Sequence, residues 1–100
     1  MRFFFDWDPR KAATNFAKHR VSFDEAVTVF RDPLALTIFD PDHSDVEERW
    51  ITLGRSAMAK LLLVVHTHGE IMSDEILIRV ISARRPTRNE ERQYEQGKTR

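Results

Sequence analysis

Residues Glu75 to Glu95, EILIRVISARRPTRNEERQYE, constrain this chain more than any other stretch. From Glu75 to Ala83 the side chains are mostly apolar and often β-branched, the composition of a buried central strand, yet Arg79 interrupts the run. A charge inside a core strand needs a reason, because a buried ion must be paired. Thr87 then supplies an N-cap oxygen and Glu90, three residues on, completes a capping box, so a helix is expected from Arg88 toward Gly97. Tyr94 is the one sizeable apolar side chain on that helix, and isolated helices of this length are marginal in water. Either the helix is a frayed tail, or Tyr94 and the arginines dock it onto something. Arg79, Arg84, Arg85, Arg88 and Arg92 are expected to gather near one strand end, where guanidinium groups suit phosphate or carboxylate. The bland alternative is a solubilising terminus with solvated arginines.

One hundred residues with 41% apolar side chains and few Gly and Pro read as a single domain spanning residues 1–100, just large enough for one core. There is no cysteine, which excludes a disulfide framework and a thiolate metal site. The N-terminal MRFFFDWDP is short and broken by Asp6 and Asp8, so it reads neither as a signal peptide nor as a membrane span, and the expected compartment is the cytoplasm. Sixteen basic and sixteen acidic residues balance, unlike the profile of a non-specific nucleic-acid binder. The distribution is uneven: residues 1–50 carry seven basic and ten acidic side chains, residues 51–100 nine and six. A local anion site is therefore compatible with a neutral molecule.

Phe3 to Phe5 reads as an edge strand, and Asp8-Pro9 opens a helix with Asp8 as N-cap. Ala12, Ala13, Phe16 and Ala17 fall on one side of it, with Lys18 and His19 in its last turn, where a cation suits the helix dipole. Ser22 and Glu25 form a second capping box before an amphipathic helix carrying Phe23, Ala26, Val27 and Phe30, which Asp32-Pro33 ends. Leu34 to Phe39, Arg49 to Arg55, Leu61 to His68 and Glu75 to Ala83 read as four strands of an antiparallel meander, with Gly69 to Asp74 as a turn. The expected fold is α+β: N-terminal helices on a four-stranded antiparallel sheet, with a C-terminal helix. Alternation groups Arg79 with Leu77 and Ile81, and His66 with Leu62 and Val64. The two N-terminal helices cover one face of such a sheet and leave the other partly open.

Asp40 to Glu48 places Asp40, Asp42, Asp45, Glu47, Glu48 and His43 within nine residues. The spacing does not match a calcium loop, and an exposed acidic hairpin loop is preferred. His66-x-His68 has a spacing that some zinc sites use, but no third ligand is evident, so a zinc hydrolase built on His43, His66 and His68 is a distant reading and no metal or cofactor is expected. Neither a nucleophile elbow nor a glycine-rich phosphate loop is present. What remains suits metal-free phosphoryl chemistry. Cleaving RNA in that way needs a base for the 2′-hydroxyl, cations for the phosphorane and an acid for the leaving 5′-oxygen, and the chain offers Lys18, His19, Glu48, Arg49, Arg79, Arg84 and Arg85.

Four ordered segments, FDWDPRKAATNFAKHRVSFDEAVTVFRDP from Phe5, EERWITLG, KLLLVVHT and IRVISARRPTRNEERQYE, resemble the BrnT family of toxins from bacterial type II toxin–antitoxin pairs, over about Phe3 to Glu95. The resemblance implies a RelE-like ribonuclease fold acting on RNA and inhibiting translation. It also implies neutralisation by a BrnA-type antitoxin, whose ribbon-helix-helix domain binds operator DNA, so that DNA is reached only through the antitoxin. It carries over onto Lys18, His19, Glu48, Arg49, Arg79, Arg84 and Tyr94; of these Lys18, His19, Glu48, Arg79 and Arg84 are expected to be catalytic, while Arg49 and Tyr94, with Arg85 and Arg88 of the arginine cluster, are expected to bind RNA. Many members have glycine where this chain has Arg20, so its first helix lacks the residue best suited to a left-handed stop. On this reading the sparse terminal helix and the open sheet face receive their missing apolar partners from the antitoxin. A non-catalytic partner of a DNA-binding repressor is the alternative, since a guanidinium fork holds antitoxin carboxylates as well as phosphate.

Overall fold

The computed structural model describes residues 1–98. It is a mixed α+β fold with a six-stranded sheet, not the four-stranded antiparallel one expected. The strands are β1 (Arg2–Asp6), β2 (Leu36–Asp40), β3 (Arg49–Arg55), β4 (Leu61–His66), β5 (Gly69–Met72) and β6 (Glu75–Arg84), and the helices are α1 (Pro9–His19), α2 (Phe23–Ala26) and α3 (Arg88–Lys98). The order is β1-β6-β4-β3-β2, with β5 also paired to β6. The four expected strands form its antiparallel block. Two strands are additional. β1 lies parallel to β6, Arg2 against Glu75 through Asp6 against Arg79. β5 occupies the segment read as a turn and pairs antiparallel with the first half of β6.

The caps read from the sequence are present. Asp8 Oδ1 accepts from the Arg10 amide at 2.8 Å behind Pro9, and Arg20 ends α1 in the left-handed conformation at φ 59° although it is not glycine. The Arg20 amide donates to the Phe16 carbonyl at 2.9 Å, closing the helix. The Ser22 box is only half made: Ser22 Oγ accepts from the Glu25 amide at 3.1 Å, while the Glu25 carboxylate accepts from Ser56 Oγ at 2.7 Å instead of turning back. α2 is a single α-turn that tightens into a 3₁₀ segment over Val27–Arg31. Three successive β-branched residues, Val27 to Val29, sit at that change, and Thr28 Oγ1 donates back to the Glu25 carbonyl at 2.6 Å.

Both sheet faces carry apolar clusters. α1 and the α2 segment cover one face, where Phe23, Val29, Leu62, Val64, Ile78 and Val80 are buried. Gly54 permits this approach, since a Cβ there would lie 3.1 Å from Ala35 Cβ and 3.2 Å from Val29 Cβ. On the other face Leu53, Leu61 and Leu63 pack with Tyr94 of α3. The terminal helix therefore finds an apolar contact within the same chain, where one in a partner was expected. Tyr94 is 2% exposed, and its hydroxyl donates to Asp32 Oδ2 at 2.6 Å. Asp32 also accepts from the Arg55 amide at 2.8 Å and the Leu34 amide at 2.9 Å. Burial by itself would raise the Asp32 pKa, but these hydrogen bonds outweigh it and hold the carboxyl below its ordinary value. Burial and the Asp32 charge push the Tyr94 phenol up.

His66 is fully buried in a chain of hydrogen bonds that settles its tautomer. Its Nδ1 lies 2.9 Å from the Thr67 carbonyl, which can only accept, so Nδ1 carries the proton. Nε2 then accepts from Thr52 Oγ1 at 2.7 Å, and Thr52 accepts from Thr37 Oγ1 at 2.8 Å. Both ring nitrogens are committed, which removes His66 from any metal site; among the described residues no three His, Cys, Asp or Glu side chains converge on a point.

Burial lowers the His66 pKa from 6.5 to about 4, with the Thr67 hydrogen bond opposing the shift. Between those two values the unfolded chain binds the extra proton, so stability is full above pH 6.5 and is lost as pH falls toward 4. At 1.36 kcal/mol per pH unit this group removes about 3 kcal/mol over that window. Urea unfolding measured from pH 7 to 4 should show that decline in the wild type and a shallower one in His66→Gln. Parallel profiles for the two proteins would contradict it.

Candidate functional site

The site is built by an irregularity in β6. Val65 pairs with Ser82 but His66 pairs with Val80, so Ile81 is an extra residue in the ladder. The bulge reverses the alternation beyond it. Val80 and Ala83 both enter the core beneath α1 and α2, while Arg84, paired with Leu63, joins the opposite face. Unbroken alternation would have turned Arg84 toward the helices and Ala83 away from them.

β1 stops opposite Arg79, which leaves the Ala83 edge of β6 without a neighbouring strand. Asn15 of α1 takes that place. Its Oδ1 accepts from the Ala83 amide at 3.1 Å, and its Nδ2 donates to the Ala83 carbonyl at 2.9 Å and to the Val21 carbonyl at 3.0 Å. A carboxamide thus stands in for one residue of strand. The clasp holds the end of α1, with Lys18 and His19, beside the second half of β6.

Two clefts meet at Ile81 and Ser82. One, about 310 Å³, is lined by Arg10, Lys11, Thr14, Asn15, Lys18 and His19. The other, about 270 Å³, opens on the second sheet face and is lined by Asp40, His43, Arg49 and Arg84 over an apolar floor of Ile51, Leu63 and Val65. Cationic side chains dominate both walls, and low-dielectric surface beneath them strengthens their pull on an anion.

The two arginines of the second cleft differ. Arg84 gives Nη1 and Nη2 to Glu90 at 2.9 and 3.0 Å, and Nη1 to the Arg85 carbonyl at 3.1 Å. Glu90 also accepts from the Thr87 amide at 2.8 Å, and the Glu90 amide donates to Thr87 Oγ1 at 3.3 Å, so the capping box of α3 is reciprocal. The Arg84 fork holds the Glu90 carboxyl below its usual range, and the Arg84 pKa is raised chiefly by the same hydrogen bonds. Arg49 is uncommitted. Asp40 lies directly opposite it in the ladder but places Oδ2 2.9 Å from His43 Nδ1. Arg49 Nε is sealed from solvent and has no hydrogen-bond partner among the described residues.

Lys18, His19, Arg49 and Arg84 are thus brought to adjoining clefts. The other residues singled out in the sequence are not. Arg79 is exposed, five residues before Arg84 along β6, roughly 15 Å away at the rise of a strand. The position that interrupts the apolar run faces solvent, which removes the puzzle of a buried charge. Glu48 is exposed and lines neither cleft; Glu47 lines a separate surface pocket with His43 and Arg49. Arg85 and Arg88 are exposed beyond the end of β6 and line neither cleft. Tyr94, expected to contact RNA, is corrected outright: it is buried beneath α3 with its hydroxyl on Asp32. The sequence pattern did not single out Asn15, and it singled out His43 only as a metal ligand. The signal for Asn15 was a short polar side chain in the middle of an alanine-rich helix, where Asn is otherwise unfavourable. For His43 it was an aspartate three residues earlier, followed by a proline.

Residues 7–90 match the model of the family described as ribonuclease toxin, BrnT, of type II toxin–antitoxin systems. The 1.1 Å crystal structure of the Brucella abortus ribonuclease toxin BrnT is similar to this chain with a TM-score of 0.57 and 21% sequence identity, covering 88% of this chain and 100% of that one. At that identity the likeness is one of fold. No curated protein sequence matches the chain.

Replacing Asn15 by Leu strands the Ala83 amide and the Ala83 and Val21 carbonyls in the core. Unmade buried hydrogen bonds cost roughly 1–3 kcal/mol apiece, so with three lost the unfolding free energy should fall by at least about 3 kcal/mol. Amide exchange at Ala83 should accelerate relative to the β3–β4 ladder. Equal protection of Ala83 in the two proteins would contradict the clasp.

Proposed function

The chain belongs to the BrnT family of ribonuclease toxins from type II toxin–antitoxin systems, and from that premise we propose that it is a metal-independent endoribonuclease whose active site is the pair of clefts joined at Ile81 and Ser82. The observation that carries this reading is Arg49: it lines an open cleft beside Arg84, and its cross-strand neighbour Asp40 is engaged with His43. A guanidinium at a cleft wall with no carboxylate holding it is suited to a phosphate.

In this reading the scissile phosphate lies over Ile81 and Ser82. Arg49 and Arg84 hold its non-bridging oxygens and stabilise the charge that grows on them as the phosphorane forms. His19 takes the proton of the 2′-hydroxyl, and the Lys18 ammonium beside it adds positive charge on that side. The 2′-oxygen attacks phosphorus, giving a 2′,3′-cyclic phosphate on one product. The charged groups gathered at the clefts are cations and imidazoles, with Asp40 engaged by His43, which suits this chemistry without requiring a metal. Arg85 and Arg88, exposed beyond the end of β6, extend the basic surface for flanking phosphates. Arg79 and Glu48 have no role at the scissile bond in this scheme.

The wider proposal is a RelE-like toxin that inhibits translation in the cytoplasm by cutting RNA. It is neutralised by a BrnA-type antitoxin, whose ribbon-helix-helix domain makes the contact to operator DNA. The family's type supports a protein antitoxin, and the cationic clefts provide a surface that acidic antitoxin residues can neutralise. No helix among the described residues is long and apolar enough to cross a membrane.

The direct test is cleavage of purified RNA by the isolated protein in excess EDTA, comparing wild type with Arg49→Ala and His19→Ala. Each substitution should cost roughly 10²-fold or more in rate, with the unfolding midpoint preserved. Arg49 is a cleaner probe than Arg84, whose loss also removes a contact to α3. Wild-type cleavage that requires a divalent ion would overturn metal independence. No cleavage by wild type, together with tight antitoxin binding that Arg49→Ala abolishes, would make the clefts a docking surface.

A further inference from the structure

We propose that His43, held by Asp40, is the general acid that protonates the leaving 5′-oxygen during RNA cleavage; the assignment rests on the ribonuclease reading above and supplies the group that His19, Lys18 and the arginines leave unfilled. His43 Nδ1 lies 2.9 Å from Asp40 Oδ2. The Asp40 side chain is 12% exposed and that of His43 67%, so the carboxylate sits beneath the ring and the ring stands out at the cleft. With Nδ1–H donated to the carboxylate, Nε2 is the nitrogen free to face a substrate, the same division of labour by which a carboxylate orients a catalytic imidazole.

The local chain is built to hold that pair. Pro41 opens a 3₁₀ turn over Pro41–His43, which puts His43 three residues after Asp40 and folds its ring back over it. Ser44 Oγ then donates to the Asp40 carbonyl and accepts from the Arg49 amide at 3.0 Å. One hydroxyl thereby ties the Asp40–His43 pair to the residue whose guanidinium is uncommitted. His43, Asp40, Arg49 and Arg84 all line the cleft on one side of Ile81 and Ser82, and Lys18 and His19 line the cleft on the other. In-line displacement places the attacking 2′-oxygen and the leaving 5′-oxygen on opposite sides of phosphorus. A base on one side and an acid on the other is the arrangement this demands.

As the P–O2′ bond forms, the 2′-hydroxyl proton passes to His19. The P–O5′ bond breaks with its electron pair going to the 5′-oxygen, which takes the proton from His43 Nε2. The products are a 2′,3′-cyclic phosphate and a 5′-hydroxyl, and the two imidazoles exchange protonation states before the next turnover. Asp40 touches no reacting atom and is a positioning residue.

The test uses an oligoribonucleotide with either the natural oxygen or a bridging sulfur at the 5′ position of the scissile bond. A thiolate leaves without being protonated, so a missing general acid matters only for the oxygen substrate. His43→Ala should lose roughly 10²-fold or more on the oxygen substrate and less than about tenfold on the sulfur one. Asp40→Asn should show a smaller loss with the same rescue, whereas His19→Ala should stay impaired on both substrates because the base is still required. Urea midpoints of all variants are recorded alongside, and rescue by sulfur is itself proof that a variant is folded. Equal losses of His43→Ala on the two substrates, or no loss on the oxygen substrate, overturn the acid assignment. If wild type cuts neither substrate, the ribonuclease reading fails and the assignment falls with it; wild-type cutting without the His43 signature removes only the acid.

Discussion

The three hydrogen bonds of Asn15 decide where the cationic end of α1 stands against the sheet. A sheet edge that β1 does not reach would ordinarily be closed by water or by another strand. Here a helix side chain closes it, and the same carboxamide fixes the Val21 carbonyl just after the left-handed Arg20. Helix, turn and strand are thereby locked in one register. The Ile81 bulge supplies the other half of the constraint, because it lets Ala83 face inward to meet Asn15 while Arg84 faces outward. Remove either device and the cationic end of α1 is no longer fixed against the end of β6.

The charges near this junction divide into structural and available ones. Glu90 satisfies Arg84 through two parallel hydrogen bonds and also caps α3, so part of the Arg84 charge is used to hold a helix whose one large apolar anchor is Tyr94. An anion entering the cleft competes with Glu90 for that guanidinium. Arg49 faces no such competitor, since its cross-strand neighbour Asp40 is engaged with His43. Arg84, Glu90, Asp32 and Tyr94 are therefore engaged in holding α3 to the sheet, while Arg49 is left available to an anion. The buried His66 network belongs to the first group: its neutral ring completes a chain of donors and acceptors far more than it serves chemistry.

Features governed by local chemistry were legible in the sequence. Asp8-Pro9, Thr87 with Glu90, and the alternation of Ile76, Ile78 and Val80 specify caps and a buried face through neighbours only a few residues away. His66 shares its face with Leu62 and Val64 for the same reason, and it is buried there. Features set by distant pairing were not legible. A bulge leaves no mark in a run of β-branched residues, so the phase beyond Ile81 could not be read and Ala83 and Arg84 exchange faces relative to simple alternation. The parallel β1 is short and aromatic, and its partner lies some seventy residues away, as the pairing of Phe3 with Ile76 shows. Tyr94 looked like an exposed anchor because its partners, Leu53, Leu61, Leu63 and Asp32, lie thirty to sixty residues earlier. The candidate site was half legible: Lys18, His19, Arg49 and Arg84 stood out by type, while His43 was weighed only as a metal ligand and Asn15 not at all.

The proposed RNA-binding surface spans the two clefts on either side of Ile81 and Ser82. It is tested most directly by titrating a short oligonucleotide of 2′-O-methyl RNA, which binds but offers no nucleophile, into the isotope-labelled protein while following backbone amide resonances. A single surface should give perturbations at Lys18 and His19, at His43 through Arg49 and at Ile81 through Arg84, moving together with one dissociation constant that weakens steeply with salt. Perturbations confined to the aromatic edge of β1, or two sets of residues saturating at different concentrations, would contradict it.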